Sequence, residues 1–193
     1  WLSMFAVRFG WGVTGTQPPK EDTHFSVYGV DGGYINSIGM RPNNVRLTDL
    51  RWEKQSAWNL GWNIGLFDDL VTADINLYSH KKTDLMTEHA SIPTTTGFSE
   101  LIVENGGDML NKGYEINLNL NRVKLAGDLA ATFNLTFANN RNTITAMTPT
   151  RLNAINGTGV KLPKNGEYMS RVQIDNPFGA IYGLRYKGVY AYS

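Results

Sequence analysis

The sequence predicts an all-β fold, a segment of antiparallel transmembrane β-barrel with short turns at one end of its strands and long loops at the other. Three observations lead there. Apolar and polar residues alternate in five separate stretches, as they do in a strand whose two faces meet different surroundings. The connections between these stretches run long, short, long, short, long. No helical periodicity competes over a comparable length.

The first strand places Phe5, Val7, Phe9, Trp11 and Val13 on one face, with Ala6, Arg8, Gly10, Gly12 and Thr14 on the other. Residues 16–50 follow as a long polar connection containing Gly and Pro, with room for a short strand over 25–30. The second strand sets Trp58, Leu60, Trp62, Ile64 and Leu66 against Asn59, Gly61, Asn63 and Gly65. Phe67, Asp68, Asp69 and Leu70 then make a tight turn into a third strand, where Val71, Ala73, Ile75 and Leu77 oppose Thr72, Asp74, Asn76 and Tyr78. This is a hairpin pattern. A second long connection spans 81–110. The fourth strand carries Tyr114, Ile116, Leu118 and Leu120 against Glu115, Asn117, Asn119 and Asn121. A short link over 122–126 leads to the fifth, with Leu129, Ala131, Phe133, Leu135 and Phe137 opposite Asp128, Ala130, Thr132, Asn134 and Thr136. A third long connection covers 139–176, and a sixth strand rich in Tyr and Gly is expected over 178–192.

A soluble β domain would share the alternation. The loop rhythm favours the membrane, because spanning barrels have short periplasmic turns and long extracellular loops, whereas structureless loops of about thirty residues are uncommon in compact soluble domains. The apolar faces are also about as long as the 9–11 residues a strand needs to cross a bilayer at a tilt. Charged residues make up 18% of the 193, below the roughly 25% usual in soluble domains. No run of apolar residues is long enough for a transmembrane helix, a test that barrel strands escape. Trp58, Trp62, Tyr78, Tyr114 and Phe137 are candidates for an interfacial aromatic girdle. No signal peptide opens the chain, which reads as strand from its start, so it is expected to be a piece of a longer protein.

Function classes narrow in the same way. A net charge of +1 with no basic block speaks against a nucleic-acid partner. With no Cys, neither disulfides nor a Cys-based metal site can form. His24, His80 and His89 are too scattered for a ligand set, and neither a metal nor another cofactor is expected. Asp68 and Asp69 sit where turn chemistry explains them. Residues 157–161, Gly-Thr-Gly-Val-Lys, lack the spacing of a phosphate loop. No serine sits in a nucleophile elbow, so no enzyme is expected. Asp74, Asn76, Tyr78, Glu115, Asn117 and Asn119 are the candidate site residues. They are expected to face a barrel interior, as a hydrated wall or plug contact, or as a stripe contacting sugars through hydrogen bonds and stacking.

Several segments, in order, resemble those of SusC/RagA-type TonB-dependent transporters. Leu50, Trp52, Glu53, Asn59 and Gly61 match an L-x-W-E-x-x-x-x-x-N-x-G pattern, and residues 65–73 resemble the family's Gly-Leu-Phe turn. Tyr78 to Leu85, Ile92 to Phe98 with its Ile-Pro and Thr-Gly-Phe, and Asn105 to Glu115 with its Asn-Lys-Gly continue the likeness. Residues 177–179 and 182–190 complete it, departing at Leu184, as Leu110 does earlier. The resemblance implies that residues 1–193 are part of one barrel domain, from its C-terminal half, whose plug domain and remaining strands lie outside this sequence. It further implies the Gram-negative outer membrane and contact with its lipid. Implied partners are TonB, reached through the N-terminal plug region, and a SusD-like lipoprotein lid, with an oligosaccharide or a peptide as substrate. Two other readings remain open: a passive outer-membrane porin and a soluble β-rich carbohydrate-binding module.

Overall fold

The computed structural model describes residues 1–19, 21, 23–34, 37–127, 129–157, 164 and 167–188. Its described elements are, in order, β1 (Leu2–Thr16), β2 (Tyr28–Tyr34), β3 (Ser37–Pro42), β4 (Glu53–Leu66), β5 (Val71–Ser91), a 3-10 turn at Thr94–Thr96, β6 (Glu100–Ala126), β7 (Leu129–Met147), α1 (Pro149–Asn156), β8 (Tyr168–Ser170) and β9 (Ile181–Gly183). Five strands form one sheet in the order β1-β4-β5-β6-β7, while β2 pairs with β3 and β8 with β9. The barrel is not closed within these residues, since β1 and β7 are the outer strands of the sheet.

The chain divides into two compact units. The first comprises Trp1–Gln17, Arg51–Leu85 and Asp108–Asn142. In it β1 and β4 pair antiparallel from Thr16↔Glu53 to Met4↔Gly65, and β4 pairs antiparallel with β5 from Lys54↔Thr83 to Leu66↔Val71. The register keeps like with like: Val7, Trp62 and Ile75 lie side by side on one face, and Ala6, Asn63 and Asp74 on the other. The apolar face has no core to enter. On the outer strands Phe9, Trp11 and Phe133 remain 71%, 68% and 50% exposed, and on the inner strands Leu60, Trp62, Ile75 and Leu118 are half-exposed. Large apolar side chains left open in a continuous band are untenable in water and suit a hydrocarbon surrounding.

The β4–β5 connection is a four-residue turn, as expected. Phe67, Asp68 and Asp69 all adopt left-handed backbone, with φ of 54°, 55° and 60°. Such conformations are tolerated best by Asn and Asp among residues with a side chain. Phe67 N donates to Trp1 O at 2.8 Å, and Leu70 N to Phe67 O at 3.1 Å. The Asn121 amide donates to Asp69 O at 3.0 Å.

The second unit comprises Pro18–Leu50, Met86–Gly107 and Thr143–Ser193. The large apolar residues that are buried among those described, Val103, Ile144 and Val172, all belong to it. Asn44 is buried and organises the stretch before β2. Its amide donates to Phe25 O and accepts from Val27 N, both at 2.8 Å. Ile144 N donates to Asn176 O, and Asp175 N returns a bond to Ile144 O. Helix α1 begins at Thr148, whose hydroxyl accepts from Arg151 N at 3.4 Å with Pro149 following as the first helical residue. Asn156 at its other end grips Val172 through both backbone groups, at 2.8 and 2.9 Å. Burial holds the pKa of Arg151 below its usual value, an effect the neighbouring Glu104 carboxylate partly offsets.

These elements correct several expectations. The connection expected over 81–110 is mostly strand, since β5 runs to Ser91 and β6 starts at Glu100. The link expected over 122–126 is the end of β6. Residues 139–147 belong to β7, and a helix follows where none was expected. The strand placed at 25–30 is displaced to Tyr28–Tyr34 and has a partner in β3. Of the strand expected over 178–192, only Ile181–Gly183 forms, paired with β8, and 189–192 lie outside the described residues, as do Asp128 and 158–161. The shared cause is that period-two patterning requires unlike faces. From Leu101 to Leu110 burial itself does not alternate, since Val103 is enclosed and its neighbours are half-buried, and backbone hydrogen bonds make a strand there without a period-two pattern.

Candidate functional site

The polar face of the first unit carries a row of cross-linked side chains. Arg8 on β1 stands beside Gly61 on β4, which stands beside Asn76 on β5. With no side chain at Gly61, the guanidinium crosses the strand and donates from Nη2 to Asp74 Oδ2 and to Asn76 Oδ1, both at 3.2 Å. A Cβ on Gly61 would lie 2.8 Å from Asn76 Oδ1 and 3.1 Å from Arg8 Nη2. Asp74 also accepts from Asn63 Nδ2 at 2.6 Å and from Asn76 Nδ2 at 2.5 Å. Its carboxylate is thus fully engaged across three strands.

The row continues on β6 and β7. Asn119 Nδ2 donates to Thr72 Oγ1 at 3.3 Å and its oxygen accepts from Asn134 Nδ2. Thr136 Oγ1 donates to Asn117 Oδ1 at 2.9 Å. Asn, Thr and Asp suit such a row because short amides, hydroxyls and carboxylates reach directly opposite neighbours, about 4.5–5.5 Å away between Cβ atoms.

Four of the six residues singled out by sequence, Asp74, Asn76, Asn117 and Asn119, therefore join the row. Tyr78 shares the face but does something else. Its ring lies 5.4 Å from that of His80 and covers Gly113, where a Cβ would come within 2.6 Å of the phenol oxygen. Sharing the face of Asp74, Tyr78 is no member of an outward aromatic girdle. Glu115 is exposed and makes no hydrogen bond or ion pair with the described residues. Sequence reasoning missed Arg8, Asn63, Thr72, Asn134 and Thr136 as site residues. Arg8 was findable: it is the one cation on the polar face of its strand, as Asp74 is the one anion on that of the third.

Chemically the row offers donors, acceptors and one neutralised charge pair. Among the described residues no three His, Cys, Asp or Glu side chains gather where they could hold a metal ion. His24 leans on Phe25, ring centroids 3.9 Å apart, and the side chain of His89 lies outside the described residues.

Comparison with known proteins accords with this wall. The family described as "TonB dependent receptor-like, beta-barrel" matches residues 2–193. The TonB-dependent receptor SusC of Bacteroides thetaiotaomicron is 31% identical over 158 residues, covering 76% of this chain and 15% of that protein. The TonB-dependent receptor P3 of Formosa agariphila is 28% identical over 205 residues, covering 95% of this chain and 18% of that protein. Among solved structures, the RagAB peptide importer in its "closed-closed" state superposes with a TM-score of 0.64 at 25% identity, covering 92% of this chain and 18% of that one. The chain thus spans less than a fifth of the length of these relatives. Alternating strands, an exposed apolar face, a hydrogen-bonded polar face and matched sequence together show that the chain belongs to the TonB-dependent receptor β-barrel family, SusC/RagA-type proteins of the Gram-negative outer membrane.

Proposed function

We propose that residues 1–193 are one stretch of the barrel domain of an active nutrient importer, and that the row from Arg8 to Thr136 faces its lumen. One observation carries the reading: one face of the sheet is apolar and open, while the other is polar and internally hydrogen-bonded. Polar groups cost several kcal/mol in lipid unless bonded, so the Asn- and Asp-bearing face belongs inward. In this reading Asp74, Asn76, Asn117 and Asn119 present a wettable surface to a plug domain or to passing substrate, with Tyr78 and Glu115 alongside. Substrate is an oligosaccharide or a peptide. The SusC relative and the RagAB structure, titled a peptide importer, support uptake in this fold. TonB, engaged through an N-terminal plug region, supplies energy, and a SusD-like lipoprotein covers the outer mouth. No enzymatic role is proposed.

The test is growth of a strain lacking the full-length gene on single oligosaccharides or peptides, with and without complementation and with and without functional TonB. Import restored by the gene only when TonB functions is expected. Restoration that persists without TonB would assign the barrel to passive diffusion.

A further inference from the structure

The apolar face changes character abruptly toward the end of the strands away from the tight turn. Trp58, on the face of Leu60, Trp62 and Ile64, pairs with Ser79. On β6 the same face runs from Leu118 through Tyr114 to Lys112. This face is assigned by Gly113, whose missing side chain would point to Tyr78 on the polar side. On β7 it runs from Phe137 to Asn139 and Arg141, opposite in parity to Asn134 and Thr136. Trp58, Ser79, Lys112, Tyr114, Asn139 and Arg141 together border a recess of ≈ 360 Å³. Two further cations continue the line on this face, Lys81 opposite Ser56 and Lys54 opposite Thr83. All four cations are exposed, and among the described residues none makes an ion pair.

We propose that this recess is a docking site for the phosphorylated headgroup of an outer-leaflet lipid, with Lys112 and Arg141 on the phosphate and Trp58 and Tyr114 at the headgroup–acyl boundary. Charge and position both select this occupant. The apolar band below the recess meets acyl chains, so a lipid whose tails lie against that band brings its headgroup to the recess. Amphipathic Trp and Tyr rings settle at that depth. Unpaired cations at a membrane surface attract anionic headgroups, each contributing about 1 kcal/mol, and Arg matches phosphate with a planar fork of donors. The connections at this end, residues 17–52 and 92–99, are longer than the four-residue turn at the other, which marks it as extracellular and assigns the outer leaflet. The tight-turn end differs, because it carries the carboxylates Asp68 and Asp69 as well as the cations Arg122 and Lys124.

The site rests on the lipid facing of the apolar band but not on import. The test is native mass spectrometry of the full-length transporter in detergent, titrated with phosphatidic acid or phosphatidylcholine. The native protein should retain phosphatidic acid in preference to phosphatidylcholine. Lys112→Gln with Arg141→Gln should weaken that retention about tenfold or more, whereas Lys82→Gln, on the polar face and paired with Glu53, should leave it unchanged. If the double variant fails to assemble, the single variants are read together with the loss of retention in high salt. Equal retention of both lipids, or an unchanged double variant, would overturn the site. Full displacement by inorganic phosphate would reassign it to a free anion and overturn the lipid. Normal heat-modifiable assembly beside any of these failures would show that the facing survives while the lipid site does not.

Discussion

The two units bury their apolar residues in opposite ways, and neither way could be exchanged for the other. In the second, Val103 and Ile144 are almost wholly enclosed, at 0% and 1% exposure, inside a small core of the kind any water-soluble fold needs. In the first, Phe5, Val7, Phe9, Trp11 and Val13 all stay exposed along one strand. Among the described residues it encloses no large apolar side chain, so its stability has little to draw on from a core. It comes from backbone pairing and from surroundings that are themselves apolar. One chain therefore carries two answers to the same residue chemistry, with solvent deciding which applies.

The largest effect should come from reversing a face. Leu118→Arg sets a charge where acyl chains are expected, at a cost of about 2–4 kcal/mol near the midplane, and should abolish heat-modifiable barrel formation on gels. Asn119→Arg, one residue along, should assemble normally, losing only its bonds to Thr72 and Asn134. Equal damage from both would erase the distinction between the faces. Next comes the enclosed core. Ile144→Ala should cost about 2–5 kcal/mol and speed proteolytic cleavage near α1, while heat-modifiability is retained because the alternating residues of the first unit are left unchanged. The smallest effect tests the polar row. Gly61→Val drives a side chain between Arg8 and Asn76 and should cost about 1–3 kcal/mol. It should lower the temperature at which the folded gel band converts to the unfolded one, without preventing assembly.

Much of the first unit was legible because lipid on one side and water on the other impose a code on every second residue. Leu60 against Gly61 and Ile75 against Asp74 could hardly be read otherwise. The code falls silent where the two sides are alike. Lys81, Thr83 and Thr87 gave no hint that β5 continues to Ser91, and Glu100 to Asp108 none that β6 has already begun. The helix at Pro149 went unexpected although Thr148 and the proline that follows form a capping pattern, because its eight residues have little amphipathic contrast. In the candidate site, parity identified Asp74, Asn76, Asn117 and Asn119. It could not supply Arg8 as a partner for Asp74, since that contact depends on the lateral register of three strands and on the gap at Gly61. Glu115 satisfied parity and nothing more.

The four-residue reversal at Phe67 to Leu70 has a consequence for how such a gene can change. Leu66 and Val71 pair directly across it, so gaining or losing one residue there would slide the flanking strands by one position and turn each side chain of the hairpin toward the wrong medium. Insertions should therefore be nearly forbidden at this end. At the opposite end, where the connections are not bound to that parity, sequence length is free to drift, and lineages of this wall should diverge in loop size while their tight reversals stay constant in length.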